Sequence, residues 1–394
     1  MSGVKGTLWE INQHTRAKHA ILERYLQAWY PILSSAHKRI NYIDGFAGPG
    51  EYASGEKGSP VIAIETAINH KLNLDSEISF LFIEKDNDRA EHLKTVLNRI
   101  SMPDKFKHEV ICGRFDDVII HQLDQFEAKK EYLAPCFAFI DPFGYKDTPF
   151  TVIKCLMSFK RCEVLITFMS GFVNRFKNKD EFHEHLNLLF GTTNWKSEIL
   201  NNDHDTIEKA IVEFYQNRLL GVAQYVRSFE MKSKYNQPIY RLVFATNDYE
   251  GLKKMKESMW KVDKTGQFTY CDTTDPDQTL LFKPQPEYNK LKEMLINKFG
   301  GKEASLKDIE KFVIIETPFR ETHFKREILS KMEKANPPEI EVIKARPSRK
   351  KCTYPDEEMI IKFNSQTTQS SQVTNTTQSK SNSHTIDLSS FLKK

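Results

Sequence analysis

The sequence predicts an α/β protein in two parts: a mostly parallel sheet with helices on both faces, then a small domain of three helices and a basic hairpin. Three observations carry this. Short apolar runs alternate with helix-like stretches through the first half of the chain, as buried parallel strands and their crossover helices do. That series closes with two strand-like runs joined by a short turn, the mark of an antiparallel hairpin. Beyond Lys283-Pro284-Gln285-Pro286 a fresh amphipathic pattern begins, so a domain boundary falls there.

Taken in order, residues 8–34 carry helical spacing. Leu8, Ile11, His19, Leu22, Tyr25, Leu26 and Trp29 recur three or four apart, and Pro31 interrupts the pattern. Strands follow at Ile40–Ile43, Ile78–Ile83, His108–Cys112, Cys136–Ile140 and Val164–Phe168. Helices lie between them at Val61–Asn69, Asp88–Ile100 and Val118–Phe126. A helix at Thr206–Leu220 leads into the hairpin, Tyr225–Lys232 and Ile239–Thr246, joined by 233–238. Met255, Met259 and Trp260 have helical spacing and read as core packed on the sheet. A parallel five-strand core closed by such a hairpin is the sheet of class I methyltransferases; ordinary dehydrogenase Rossmann domains do not end this way.

In the second part, Tyr288–Phe299 is a helix ended by Gly300-Gly301, and Ser305-Leu306-Lys307-Asp308 resembles a capping box opening a second. A third helix runs over about 320–334. Strands at Ile340–Lys344 and Met359–Phe363 flank the basic turn Arg346-Pro347-Ser348-Arg349-Lys350-Lys351. This is the order of a winged helix-turn-helix. The expected division is therefore an N-terminal helical segment (1–40), a Rossmann-like domain (41–284), a winged helix (285–363) and a Ser/Thr/Gln/Asn-rich disordered tail (364–394). Within the tail, 386–392 could serve as a short docking peptide.

Composition sets limits. A chain of 394 residues has room for two or three domains, and its net charge of +4 does not by itself argue for nucleic acid, so local patches must carry that case. No apolar run approaches the roughly 18–20 residues that span a bilayer, and the polar start lacks the core of a secretory signal. The six cysteines are scattered without CxxC or zinc spacing and read as reduced, buried small hydrophobes. A cytoplasmic protein with no metal site is expected.

The loop after the first strand, Tyr42-Ile43-Asp44-Gly45-Phe46-Ala47-Gly48-Pro49-Gly50, carries the chemistry. Gly45, Gly48 and Gly50 let the backbone turn sharply and approach a ligand, which ATP, NAD and S-adenosylmethionine sites all use. Asp44 separates them: a carboxylate repels a pyrophosphate but suits a methionyl ammonium and a sulfonium. Pro49 also removes an N–H that a phosphate would want. Phe46 lies inside the same loop. Glu84, ending the second strand, suits both ribose hydroxyls of an adenosine. After the third strand, Phe115 could face the adenine and Asp116 its exocyclic amine; a helix N-cap is the other reading.

The fourth strand runs into Asp141-Pro142-Phe143-Gly144-Tyr145. Methyltransferases of exocyclic amines carry D/N-P-P-Y/F here, the acid and a Pro carbonyl orienting the amine while an aromatic stacks on a flipped base. Asp141 and Pro142 keep that pattern; Phe143 replaces the second Pro and Gly144 the aromatic, so stacking passes to Phe143 or Tyr145 and a nitrogen acceptor is not fixed. His14 and His19, on the first helix, could approach the same cleft or be structural. Arg320, Lys325, Arg326 and Lys331 on the third helix, with Arg346, Arg349, Lys350 and Lys351 in the wing, could contact DNA or RNA. Glu316, Glu321, Glu327 and Glu333 dilute the helix charge, and winged helices also dock proteins.

With these residues in hand, the chain resembles the three-Cys-motif partner protein family. The likeness runs in order through His14-Thr15, Lys18-His19-Ala20-Ile21-Leu22, Trp29-Tyr30-Pro31-Ile32-Leu33, the Tyr42–Gly50 loop and Gly58-Ser59-Pro60. It continues through Phe139–Gly144, Phe244-Ala245-Thr246-Asn247, Met259–Asp263 and Glu316–His323, covering roughly residues 8–363. The resemblance implies a methyltransferase-like domain with a winged helix, associated with a separate radical-SAM-like protein that bears the three cysteines. Two functions compete: an S-adenosylmethionine-dependent methyltransferase acting on nucleic acid, and a non-catalytic nucleic-acid-binding adaptor for that partner. An NAD-dependent enzyme is disfavoured by Asp44 and the hairpin.

Overall fold

The two most apolar runs of the chain, Cys136–Ile140 and Cys162–Phe168, are buried at every residue and lie in the interior of one large sheet. The computed structural model describes residues 6–129, 133–144, 147–201, 206–263, 267–272 and 286–364. Helix α1 (Gln13–Ser34) precedes β1 (Arg39–Asp44), α2 (Ser59–Ile68), β2 (Glu77–Glu84), α3 (Asn87–Leu97), β3 (Phe106–Cys112) and α4 (Phe115–Lys129). Next come β4 (Cys136–Ile140), α5 (Phe150–Ser158) and β5 (Cys162–Phe168). Helices α6 (Ser170–Phe176), α7 (Asp180–Phe190), α8 (Trp195–Leu200) and α9 (Ile207–Leu220) lead to β6 (Tyr225–Lys232), β7 (Pro238–Thr246), α10 (Tyr249–Val262) and β8 (Thr269–Cys271).

The strand order is β3-β2-β1-β4-β5-β7-β6-β8. Strands β1 to β5 are parallel to their neighbours, β7 is antiparallel to both β5 and β6, and β8 is parallel to β6. This is the class I methyltransferase sheet anticipated from the sequence. The order reverses between β1 and β4, so their carboxyl ends open side by side, where open α/β sheets bind ligands.

Pro31 does not end the first helix. Helix α1 runs on to Ser34, and the Gln27 carbonyl that Pro31 cannot serve accepts instead from the His70 ring, at 3.0 Å. Within β5, Glu163 is the one charged side chain; it accepts from Tyr25 Oη at 2.7 Å and Thr246 Oγ1 at 2.6 Å. Helices α5 to α8 and the short strand β8 were not anticipated. Only Cys136 and Cys162 are buried; Cys112 and Cys155 are exposed, correcting the reading of the cysteines as uniformly interior. Among the described residues no helix is long and apolar enough to cross a membrane, and no group of three or more His, Cys, Asp or Glu is placed to hold a metal ion.

The second part comprises α11 (Tyr288–Phe299), β9 (Glu303–Ser305), α12 (Leu306–Glu316), α13 (Glu321–Phe324), a π-helical turn (Lys325–Leu329), α14 (Ser330–Lys334), β10 (Ile340–Lys344) and β11 (Ile360–Phe363). Its sheet, β10-β11-β9, is antiparallel. Ser305 caps α12, its hydroxyl accepting from the Asp308 amide at 3.1 Å. The third helix is thus interrupted by a π turn. Of the tail expected from 364, only Asn364 falls among the described residues; 365–394, with 386–392, lie outside them.

The winged helix is joined to the large sheet around one buried lysine. Lys256, on α10, is fully buried, and the three N–H groups of its ammonium are shared among the carbonyls of Val313 (3.0 Å), Ile314 (2.8 Å), Thr317 (2.8 Å) and Phe319 (2.5 Å). Val313 and Ile314 lie in the last turn of α12, where a cation meets the negative end of the helix dipole, and Thr317 and Phe319 lie in the segment that follows. Burial, then the Arg227 charge, pulls the lysine pKa well below its ordinary value, and against that these carbonyls favour its charged form. Arg227, on β6, reaches the Ile315 carbonyl at 2.5 Å, and Trp260 Nε1 donates to Pro318 at 2.8 Å. Met255 and Met259 are buried beside them in a core shared with Leu291, Leu295 and Ile309. Lys256→Met should therefore cost about 3 kcal/mol or more, because buried carbonyls lose their donor. Equilibrium urea unfolding checks this; an unchanged midpoint would show that the cap is dispensable.

Candidate functional site

The carboxyl edge of the sheet collects Asp44, Glu84 and Asp141 at the ends of β1, β2 and β4. Asp44 is fully buried. One oxygen accepts from the Phe46 amide at 3.2 Å; the other, Oδ2, is buried with no hydrogen-bond partner among the described residues. Burial pushes its pKa up to about 7 and Asp141 adds to the rise, while the Ser59 hydroxyl, the Phe46 amide and Lys18 oppose it.

The glycine loop is held from beneath. Any side chain at Gly45 would meet the Phe115 ring at 2.6 Å, so Phe115 requires a glycine there. Gly50 adopts φ +86° and a Cβ on it would reach Leu93 at 2.7 Å. Gly48 donates its N–H to Glu84 Oε2 at 2.9 Å, and Glu84 Oε1 accepts from the Asp86 amide at 2.9 Å. Glu84 thus fixes the loop while each of its oxygens keeps a second acceptor position.

Two adenine-side assignments change. The Phe115 ring is buried behind Gly45 and against Phe46 (5.5 Å between centroids), a support for the loop and not an exposed adenine face. Asp116 accepts from Arg114 Nε and Nη2 at 3.1 and 2.7 Å, so its carboxylate is already engaged by a guanidinium.

At β4, Asp141 forms an ion pair with Lys18, a buried lysine of α1. The sequence reading passed over Lys18, although it falls on the same buried stripe of α1 as Leu22, Tyr25 and Trp29. The Lys18 ammonium also lies 5.4 Å from the Tyr240 ring centroid. His19 is buried next to it; burial, then the Lys18 charge, lowers its pKa to about 3, so it is neutral. His14 turns away to Asp272, 3.0 Å distant. Pro142 is buried, whereas Phe143 is 55% exposed. Tyr145 lies outside the described residues. Trp9 joins these parts: its ring contacts Phe143 at 5.5 Å and Tyr52 at 5.8 Å, and its edge would lie 3.7 Å from a Cβ on Gly48. Arg89 stacks on Trp9 at 4.9 Å.

On the winged helix the predicted cations differ in availability. Arg326 is 91% exposed, and Lys350 and Lys351 are exposed with no ion-pair partner among the described residues. Lys325 faces Glu310 at 3.7 Å and Arg320 donates to Thr322 at 3.1 Å. Arg349 is a correction: it is 12% exposed, and it donates to Glu333 at 2.6 Å and to the Thr353 carbonyl at 2.9 Å. Its guanidinium holds the wing to the third helix. Glu333 Oε2 also accepts from the Cys352 amide (3.0 Å) and Tyr354 Oη (2.7 Å).

Residues 269–345 match the family described as GMT-like wHTH domain, so this chain carries a winged helix after its methyltransferase-like sheet. No curated protein matches the chain. Among solved structures, it is similar to a Legionella pneumophila protein of the family-model DUF519 (15% identity, 64% of this chain and 92% of that one, TM-score 0.36). It is also similar to human methyltransferase-like protein 13 in complex with SAH (11%, 62% and 91%, TM-score 0.33). A third is the Bacillus cereus O-methyltransferase in complex with SAH (14%, 57% and 80%, TM-score 0.30). The fold itself rests on the strand order.

Burial alone would raise the Glu333 pKa, but its bonds to Arg349, Tyr354 and the Cys352 amide hold it below the ordinary carboxylate value. A depressed acid stabilises the fold above its unfolded pKa, and that contribution is lost as pH falls through the folded one. Glu333→Gln should thus lower stability by about 1–3 kcal/mol at neutral pH, with the gap closing in acid. Thermal unfolding across pH measures it, and a pH-independent gap would rule out the charge.

Proposed function

We propose that this protein is an S-adenosylmethionine-dependent methyltransferase acting on nucleic acid, in company with a separate three-cysteine, radical-SAM-like protein. The observation that carries the cofactor is the buried, unpartnered Asp44 Oδ2 at the glycine loop. A cationic ligand is the complement that such an oxygen lacks. Asp44 would face the methionyl ammonium and Glu84 the ribose hydroxyls, with Gly45, Phe46, Gly48 and Gly50 forming the cradle. When bound, the cofactor would supply a methyl group on sulfonium, with a neutral thioether as leaving group.

The chain's own contribution is position and charge. Asp141 is oriented by its ion pair with Lys18, and one of its oxygens is left to accept a hydrogen bond from the acceptor group. Pro142 stiffens the turn, and exposed Phe143 offers a face to a base. His19, neutral and buried, adds no competing positive charge. The exposed Arg326, Lys350 and Lys351 support contact with phosphates by the winged helix.

A second reading, an adaptor that binds nucleic acid for its partner without transferring methyl, is favoured by one feature: Gly144 stands where amine methyltransferases keep an aromatic, and Lys18 already occupies Asp141. Transfer of labelled methyl to DNA or RNA separates the two. Asp141→Ala should reduce it about 100-fold or more by losing orientation of the acceptor; no transfer by the unaltered protein, alone or with its partner, would favour the adaptor.

Cofactor binding should depend on pH in a defined direction. Asp44 must ionise to meet a cation, so affinity for S-adenosylmethionine should rise as pH climbs through about 7, with proton release on binding. Calorimetry in buffers of differing ionisation heat measures both. Asp44→Asn should abolish the pH dependence and weaken binding about tenfold or more; NAD should not bind. Equal affinity in Asp44→Asn would sink the assignment.

A further inference from the structure

Three surface aromatics, each with a cation against its ring, line the carboxyl edge of the large sheet. At the end of β4, Phe143 is 55% exposed with the Arg89 guanidinium 5.6 Å from its centroid. Just past β5, on α6, half-buried Phe176 packs between Phe172 (4.2 Å) and Phe182 (4.5 Å) in an aromatic cluster, carries the Lys179 ammonium 5.5 Å from its centroid, and has exposed Arg175 beside it. In the turn between β6 and β7, Tyr235 is 73% exposed with Lys234 at 5.1 Å. Because β4, β5 and β7 are neighbours in the sheet, and β7 runs antiparallel to β5 with Arg241 opposite Phe168, all three pairs come to one edge. It is the edge that holds Asp141.

Three of these cations, Arg175, Lys179 and Lys234, lack an acidic partner among the described residues. Of the acids nearby, Asp141 is paired with Lys18 and Glu230 with Arg241 and Lys232, while Asp272 and Asp180 face the rings of His14 and His183. Helices α6 to α8 are also the segment that the strand–helix alternation did not anticipate, inserted beside the acceptor loop.

We infer that this row is a track for single-stranded nucleic acid, crossing the sheet edge from Phe143 through Phe176 to Tyr235 and leading the strand past Asp141. The inference rests on the nucleic-acid reading of the protein and adds a second contact surface, distinct from the winged helix. The exposed rings of Phe143 and Tyr235 suit splayed bases, which a duplex cannot offer, the Phe176 cluster between them offers an apolar edge, and the cation beside each lies where the backbone phosphate of a bound nucleotide runs. The winged helix would then hold the flanking region while the track presents the acceptor base.

The test uses the full chain and three labelled probes of one sequence: a single-stranded DNA, its RNA counterpart and the DNA duplex. Anisotropy titrations over a range of salt are run on the unaltered protein, on Arg175→Glu/Lys179→Glu/Tyr235→Ala, and on Lys350→Glu/Lys351→Glu. All five altered side chains are exposed, and matching circular dichroism and thermal melts confirm folding. The track variant should bind the single strand about tenfold or more weakly, with a salt slope shallower by roughly one to two, while keeping duplex affinity. The DNA and RNA arms identify which strand is preferred. Unchanged single-strand binding in the track variant, with loss in the wing variant, overturns the track and leaves the nucleic-acid reading standing. Failure of the unaltered protein to bind any probe overturns both. Competition by polyglutamate at equal charge as strong as that by the single strand would show a surface reading charge alone, which also overturns the track.

Discussion

The contact between Lys256 and the end of α12 decides how the two parts of this protein relate. An ammonium with no exposure to water, its three N–H groups shared among four carbonyls, is stable only where those carbonyls stay in place. They stay because α12 is capped at its other end by Ser305 and packed on a core that also contains Met255, Met259 and Phe229. The winged helix is therefore set at a fixed angle to the sheet. Whatever its third helix and wing hold is thus kept in one orientation relative to the sheet.

At that edge the electrostatics are uneven by construction. Asp44 sits where solvent cannot neutralise it and one of its oxygens is unserved; Asp141, one loop away, is matched by Lys18 from a helix that precedes the sheet in sequence. One acid is thus left lacking a cation and the other supplied with one. Under the proposed function, this asymmetry would divide a ligand-holding position from an orienting position more clearly than either residue's identity does.

Much of this was legible in the sequence, for physical reasons. Strands β4 to β7 announce themselves because buried parallel strands are apolar on both faces and a hairpin needs a polar turn, and Asp44, Glu84 and Asp141 because strand ends have fixed positions relative to the apolar runs. What escaped reading was tertiary. Lys18 looks like any helical lysine until the fold brings α1 against β4, and Trp9 precedes the first helix with no periodicity to mark it. Arg349 has the sequence context of a phosphate contact, yet Glu333 and Tyr354 enclose it. Phe115 was assigned to a ligand, whereas Gly45 claims its ring. Pro31 interrupts the helical spacing, yet α1 runs on to Ser34 because His70, thirty-nine positions later, takes over the hydrogen bond that it forfeits.

The hydrogen-bonded Glu163 in the middle of the sheet carries a different consequence. Burial lifts its pKa to about 7, with Asp248 adding to the rise and Thr246 and Tyr25 opposing it. The folded chain therefore holds a proton there that the unfolded chain has already released at mildly acidic pH, so stability declines as pH rises from the ordinary glutamate range to about 7 and then levels. Strand β5, which joins the parallel half of the sheet to its antiparallel end, thus has a proton as one of its structural components.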